Sequence, residues 1–260
     1  MQFTMQGRKA LITGGSLGLG LAIAETFARA GASVAVVARR QDVLEAARAK
    51  IAAAGAPKAI AISADVGKAA DCERAYKEAA AGMGGVDVLV NNAGTSQRGA
   101  FESISDELWQ HDLDLKLFAA IRLCRLALPS MKANRFGRII NVLNTGAKAP
   151  PAEGAPTAVS RAAGMALTKV LAGEGAKHNV LVNGLLVGRI ESDQWVRRHT
   201  AEGSNTSLED YYSKMGRSLP MGRLGTAQEF ANAALFLASD AGSYITGTAI
   251  NVDGGLCPVV

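Results

Sequence analysis

The sequence predicts an α/β fold: a doubly wound, mostly parallel seven-stranded sheet with helices on both faces. Three observations carry this. Short runs of apolar residues recur along the chain without polar alternation, as strands covered on both faces should. Longer amphipathic stretches separate them, the alternation that builds parallel crossovers. A glycine-rich turn joins the first run to the first helical stretch.

In chain order, KALIT (9–13) leads through that turn to a helix over 17–30, and SVAVVA (33–38) to one over 41–54. AIAIS (59–63) precedes a helix over 69–83, and VDVLV (86–90) a long one over 105–133. RIINVL (138–143) is followed by a helix over 157–177. NVLVNGLL (179–186) runs into a polar stretch before a helix over 226–239, and GTAINV (247–252) closes the sheet. No linker, repeat or low-complexity segment interrupts the series, so residues 1–260 read as a single domain. The exception to the regular spacing is 188–224, which is polar and aromatic-bearing. An insertion at the carboxyl end of a strand is where a lid over a ligand would sit.

Composition narrows the function classes. Hydrophobic residues make up 48% and charged residues 20% of the 260, which is globular. The 28 basic and 23 acidic residues leave +5, but no run of five like charges forms a basic stripe. Nucleic-acid binding is therefore not expected, and a small anionic ligand suits the mild excess better. Cys72, Cys124 and Cys257 lie far apart, as do His111, His178 and His199, so no metal site is expected. The same cysteine usage fits a reducing, cytoplasmic compartment. The amino-terminal MQFTMQGRKALIT has no signal-peptide apolar core, and no apolar run reaches membrane-spanning length.

The turn TGGSLGLG (13–20) sits between strand and helix, with Gly14, Gly18 and Gly20 in G-x-x-x-G-x-G spacing. Glycines there let the backbone approach a pyrophosphate that rests on the free N–H groups of the helix start. Ser16, Leu17 and Leu19 complete the contacting turn. In such a Rossmann-type unit the end of the second strand reads the adenosine ribose. VVARRQD puts Arg39 and Arg40 there with no acid before Asp42, which favours NADP(H) over NAD(H). The alternative is two solvated arginines at a helix start.

NNAG (91–94) after the fourth strand, ADV (64–66), GRIINV (137–142) and the long carboxy-terminal LPMGRLGTAQEFANAALFLASDAGSYITGTAINVDGG (219–255), with the glycine turn, resemble the short-chain dehydrogenase/reductase family over essentially the whole chain. The resemblance implies a nicotinamide cofactor held by the glycine turn, by Asp65 and Val66, and by Asn92, Ala93 and Gly94. It also implies a small-molecule carbonyl or alcohol substrate. Family members that transfer hydride use a tyrosine acid/base, a lysine four residues later, a serine on the preceding strand and an asparagine on the helix before. Mapped residue by residue, the tyrosine position falls on Thr157 and the lysine position on Arg161, with Ser160, Ala162 and Ala163 matching the surrounding pattern. The serine position falls on Asn144, with Thr145 as an alternative, and the asparagine position on Lys116. After the sixth strand Val187 replaces the usual proline, while Gly188, Ile190 and Ser192 follow it. Gly188 and Ile190 complete the cofactor set.

Two readings follow. In one, the site is rebuilt: Lys116 is the acid, Asn144 polarises the carbonyl and Arg161 orients the ribose, giving an NADP(H)-dependent oxidoreductase with an altered acid/base set. In the other, the chain binds the nucleotide without turnover and serves a regulatory or subunit-partner role. A threonine hydroxyl has no pKa near neutrality and an arginine is not tuned like a lysine, which favours the second. Lys116 on a solvated helix face would favour it further. Tyr211 and Tyr212 in the lid, and Lys148 and Glu153 beside the site, are lesser candidates. The apolar faces of 105–133 and 157–177 and the family resemblance suggest a homodimer or homotetramer.

Overall fold

The structure, a computed structural model, describes residues 3–201 and 206–260. Strands β1 (Lys9–Thr13), β2 (Ser33–Ala38), β3 (Ala59–Ser63), β4 (Val88–Asn91), β5 (Gly137–Asn144), β6 (Val180–Val187) and β7 (Ala249–Val252) form one sheet. Its order is β3-β2-β1-β4-β5-β6-β7, and every neighbouring pair is parallel. The chain therefore winds outward from β1 to β3, then returns to add β4 on the other side of β1. Connections leave the carboxyl ends of β1 and β4 in opposite directions, opening the crevice where doubly wound sheets bind ligands.

The helices are α1 (Gly18–Arg29), α2 (Gln41–Ala53), α3 (Ala69–Met83), α4 (Asp106–Leu113), α5 (Ala119–Ala133), α6 (Thr157–Gly175), α7 (Asp193–Ala201), α8 (Leu208–Gly216) and α9 (Ala227–Ala238). Two buried apolar layers sandwich the sheet because successive strand residues face opposite ways. Ile12, Val34 and Val90 meet Phe27 of α1, Leu44 of α2 and Phe230 of α9 on one face. Leu11, Val37 and Leu89 meet Cys72 of α3, Leu123 of α5 and Leu171 of α6 on the other.

The single helix expected over 105–133 is interrupted. Between α4 and α5, residues Asp114–Phe118 form a π-helical turn. A single π turn is a one-residue slip in the apolar spacing, too small to divide the amphipathic stretch into two in the sequence. The widened turn carries Lys116 inward, where it is 5% exposed, against the expectation of a solvated face. The final strand begins at Ala249 rather than at 247, because Gly247 takes a left-handed φ of 71° beside Lys169 and Ala172.

Candidate active site

The glycine turn owes its shape to close backbone packing. Gly14 has φ 63°, and a side chain there would sit 2.9 Å from Asn92 Nδ2, while one on Gly20 would collide with the Gly14 carbonyl. Asn92 Nδ2 donates to the carbonyls of Thr13 (2.9 Å) and Gly14 (3.1 Å). The Asn92 and Ala93 amides both donate to Thr13 Oγ1 at 3.0 Å. These bonds tie the end of β4 to the end of β1. Helix α1 starts at Gly18 with Leu17 before it, no capping side chain and no acidic residue in its first turn. Its unpaired N–H groups and positive dipole end are what a phosphate requires.

Arg39 and Arg40 follow β2 fully on the surface. Among the described residues neither guanidinium has a protein partner. Across the crevice mouth, the Gly67 amide donates to Asp65 Oδ1 at 3.1 Å and the Asp65 amide to Asp71 Oδ2 at 2.8 Å, fixing the turn that contains Val66.

The other half of the site is a closed polar cluster between α4, the π turn and α6. Lys116 Nζ donates to Asp112 Oδ1 and, at 2.6 Å, to Thr157 Oγ1. Ser160 Oγ donates to the second oxygen of Asp112 at 2.7 Å. The side chains of Lys116 and Asp112 are 0% exposed. An antiparallel bridge between Arg98 and Pro156 brings the loop after β4 against the start of α6, and there the Gln97 amide donates to Thr157 Oγ1 at 2.9 Å. Both acceptor positions of that hydroxyl are then filled, and its O–H donates to Asp112 Oδ1 at 3.4 Å.

Thr157 and Arg161 do lie one turn apart, but they point to different partners. Arg161 Nη1 donates to the Val142 carbonyl at 2.8 Å, and the guanidinium lies against Gly94, where a side chain would strike it. Among the described residues the rest of its donor fork has no hydrogen-bond partner. Burial lowers the Arg161 pKa to about 10, Asp112 opposing the shift. Burial likewise lowers Lys116 to about 8; Asp112 opposes this and Arg161 adds to it. Asn144 ends β5 beside the start of α6, and its Oδ1 is buried without a hydrogen-bond partner.

Gly188 follows β6 and packs too tightly against Asp253 to accept a side chain. The Ile190 side chain is 3% exposed and belongs to the core, so only its backbone, bridged to Gly225, borders the crevice. In the expected lid, residues 202–205 lie outside the described set, with α7 before them and α8 after them. Tyr211 stacks at 5.0 Å on His199 and 6.3 Å from Tyr212, so these rings pack on each other within the lid. Lys148 lines a cavity of about 600 Å³ with Met165 and Lys169, and Glu153 is exposed. Sequence reasoning missed Asp112, although D-L-D-L-K places it four residues before Lys116, the helical pairing distance.

Comparison with known proteins follows the same outline. A family model described as enoyl-(acyl carrier protein) reductase matches residues 14–257. The 3-oxoacyl-[acyl-carrier-protein] reductase FabG of Aquifex aeolicus is 33% identical over 98% of this chain and 100% of its own. The chain belongs to the short-chain dehydrogenase/reductase family. FabG of Escherichia coli K12 is 34% identical over 96% of this chain and 98% of its own. Among solved structures, the L-sorbose reductase of Gluconobacter frateurii, in complex with NADPH and L-sorbose, aligns with TM-score 0.95 and 32% identity over the whole of both chains. An Agrobacterium tumefaciens C58 3-oxoacyl-(acyl-carrier-protein) reductase with NADP bound gives 0.89 and 31%, over 97% and 95%. The family's sheet order and oxidoreductase scaffold are those described above.

Proposed function

We propose that this family member is an NADP(H)-dependent oxidoreductase that interconverts a small carbonyl compound and its alcohol with an altered acid/base set. The observation that carries the reading is the contact of Lys116 Nζ with Thr157 Oγ1 at 2.6 Å. It couples a titratable amine to the position that family members fill with their acid.

The residues fit the cofactor. The side-chain-free cradle of Gly14, Gly18 and Gly20 and the uncapped start of α1 would hold the pyrophosphate. Arg39 and Arg40, whose guanidiniums have no partner among the described residues, would take a 2′-phosphate. Asp65 and Val66 would border the adenine, and Gly94, Gly188 and the Ile190 backbone the nicotinamide end. Arg161 would donate to the nicotinamide ribose. The NADPH- and NADP-bound relatives support the same choice. When bound, the cofactor supplies hydride to the substrate carbon, or accepts it in the reverse direction.

The protein's own part is the proton. The Thr157 O–H donates to the substrate oxygen, and Lys116 restores that proton through their hydrogen bond. The amine is then recharged from solvent. The Asn144 amide, turned to present Nδ2, donates to the same oxygen as charge builds on it. In the oxidative direction each proton moves the other way.

Incubation with NADPH and a panel of ketoses, ketones and 3-oxoacyl thioesters should reveal a carbonyl that is reduced. Replacing Lys116 by methionine should lower kcat by about 10²–10⁴, the usual contribution of a positioned acid. A second reading, nucleotide binding without turnover, is favoured by one observation: the Lys116 and Asp112 side chains are wholly shielded. If no panel member reacts, that reading stands. Installing tyrosine, lysine and serine at 157, 161 and 144 should then create turnover only when Lys116 is also shortened to asparagine, since its amine lies against position 157.

We also assign the protein to the cytoplasm and to a homodimer or homotetramer. Its three cysteines are free thiols, and none of its described helices is long and apolar enough to cross a membrane. On α6, Val159 is 50% and Val170 58% exposed, an apolar surface suited to a second copy. Light scattering on the eluting peak tests the assembly; a monomer at micromolar concentration overturns it.

A further inference from the structure

Asp112 plays no part in the proton path just described, yet it touches every member of it except the substrate. Its Oδ1 accepts from Lys116 Nζ and its Oδ2 from Ser160 Oγ, with Thr157 Oγ1 at 3.4 Å. It is fully shielded on α4, one turn before the π turn that carries Lys116. The groups facing Lys116 are few. Asp112 comes from α4; Thr157, Ser160 and Arg161 come from α6; the Gln97 amide reaches Thr157 from the loop after β4.

We propose that Asp112 is a positioning residue: its carboxylate keeps the Lys116 amine protonated inside the fold and aims it at Thr157 Oγ1, while Ser160 fixes the carboxylate. The inference rests on the reading of Lys116 as the proton source and deepens it. Three forces act on the buried amine. Removal from water favours the neutral form, and the nearby Arg161 guanidinium pushes the same way. Asp112 is the counterweight from within the cluster. Without it the ammonium would lose its proton at neutral pH, and Thr157 would have no charged donor behind it. The geometry is the general arrangement in which a third group orients the acid/base partner of a reacting hydroxyl. One proton leaves Thr157 for the substrate oxygen, one passes from Lys116 to Thr157, and solvent returns one to Lys116, so the cluster ends as it began.

The test is a pH titration of the full-length chain without substrate, following the Lys116 Cε resonance in lysine-labelled protein. The resonance is assigned by its loss in Lys116→Met. The wild-type midpoint should fall near 8. In Asp112→Asn it should drop by at least about one pH unit, a tenfold loss of proton affinity, and Asp112→Glu should recover most of the drop. An unmoved or raised midpoint in Asp112→Asn, or no recovery in Asp112→Glu, overturns the proposal. Should Asp112→Asn fail to fold, the wild-type protein labelled at aspartate carboxyl carbons still decides. The Asp112 signal must shift with the Lys116 midpoint, and independence of the two refutes the pairing. These readouts need no turnover. A protein that reduces no carbonyl but shows the shifts loses the oxidoreductase reading and keeps the pair. One that turns over with unshifted midpoints loses only the pair.

Discussion

At the start of α1 and the end of β2, the polar groups are backbone N–H groups and two exposed guanidiniums with no partner among the described residues. At the start of α6 they are side chains already bonded to one another: Lys116, Asp112, Thr157 and Ser160. The first region is prepared for a ligand's charge and does little for the fold by itself. The second holds a buried ion pair whose partners satisfy each other, so it bears on stability whether or not anything reacts there. Substitutions in the two regions should therefore read out differently: in affinity at the first, in stability and proton transfer at the second.

The largest expected effect belongs to the second region. Asp112→Ala breaks the buried pair, leaving Lys116 either charged without a counterion or forced to give up its proton, and removing one partner of such a pair costs about 3–5 kcal/mol of folding stability. Denaturant unfolding should show it as a lower midpoint at unchanged slope. Replacing both partners, Asp112→Leu with Lys116→Met, should restore most of the loss, because an apolar pair of similar volume needs no charge compensation. If the single change is nearly neutral, the pair is not the closed unit its distances suggest. Neither change should alter NADPH affinity by more than a few-fold, and that is where the comparison is most easily broken.

At the first region, Arg39→Ala with Arg40→Ala should cost about 1.5–3 kcal/mol of NADPH binding, the usual range for hydrogen bonds to charged groups. NADH binding and the unfolding midpoint should stay put. Calorimetric titration of both nucleotides checks this, and equal losses for the two would remove the 2′-phosphate from the account.

The pH dependence of turnover sharpens the second region in smaller steps. If Lys116 donates when protonated, as proposed, the rate of carbonyl reduction should hold below about pH 8 and fall as pH rises past it. Beyond that point the loss is tenfold per unit, equivalent to about 1.4 kcal/mol. Alcohol oxidation needs the neutral amine and should rise with pH to the same midpoint, then level. Initial rates across pH in both directions give the two limbs, and Lys116→Met should abolish both.

The two regions also differed in how far they could be read from the sequence. Strands and most helices were legible because burial on both faces leaves unbroken apolar runs such as SVAVVA, and that signal is local. The glycine turn was legible because G-x-x-x-G-x-G between strand and helix has few other uses. The bonded cluster was not, since Lys116 and Thr157 are 41 residues apart and meet only through tertiary packing. The π turn that buries Lys116 hides within an amphipathic pattern read as one helix, which made a solvated lysine the natural expectation. That the side-chain amide of Asn92 braces the Thr13 and Gly14 carbonyls was equally beyond the local pattern NNAG, since these partners lie 79 and 78 residues away.

The smallest effect tests whether the first region stands on its own backbone. Helix α9 packs behind α1, with Gln228 Nε2 donating to Thr26 Oγ1 at 3.0 Å and Phe230 in the shared core. It begins with a capping box: the Glu229 amide donates to Thr226 Oγ1 at 3.2 Å, and the Thr226 amide donates to Glu229 Oε2 at 2.8 Å. Arg223 pairs with the same glutamate at 2.7 Å, and these bonds hold its pKa down to about 2. Thr226→Ala removes one cap bond, which costs about 1 kcal/mol, and thermal unfolding should show a downward shift of a few degrees. NADPH affinity should not move, because the cradle is shaped by contacts of Gly14 and Gly20 with Asn92 and each other rather than by α9. A parallel fall in NADPH affinity would mean that the glycine turn borrows its geometry from the helix behind it, and that the two regions differ less than their hydrogen bonds imply.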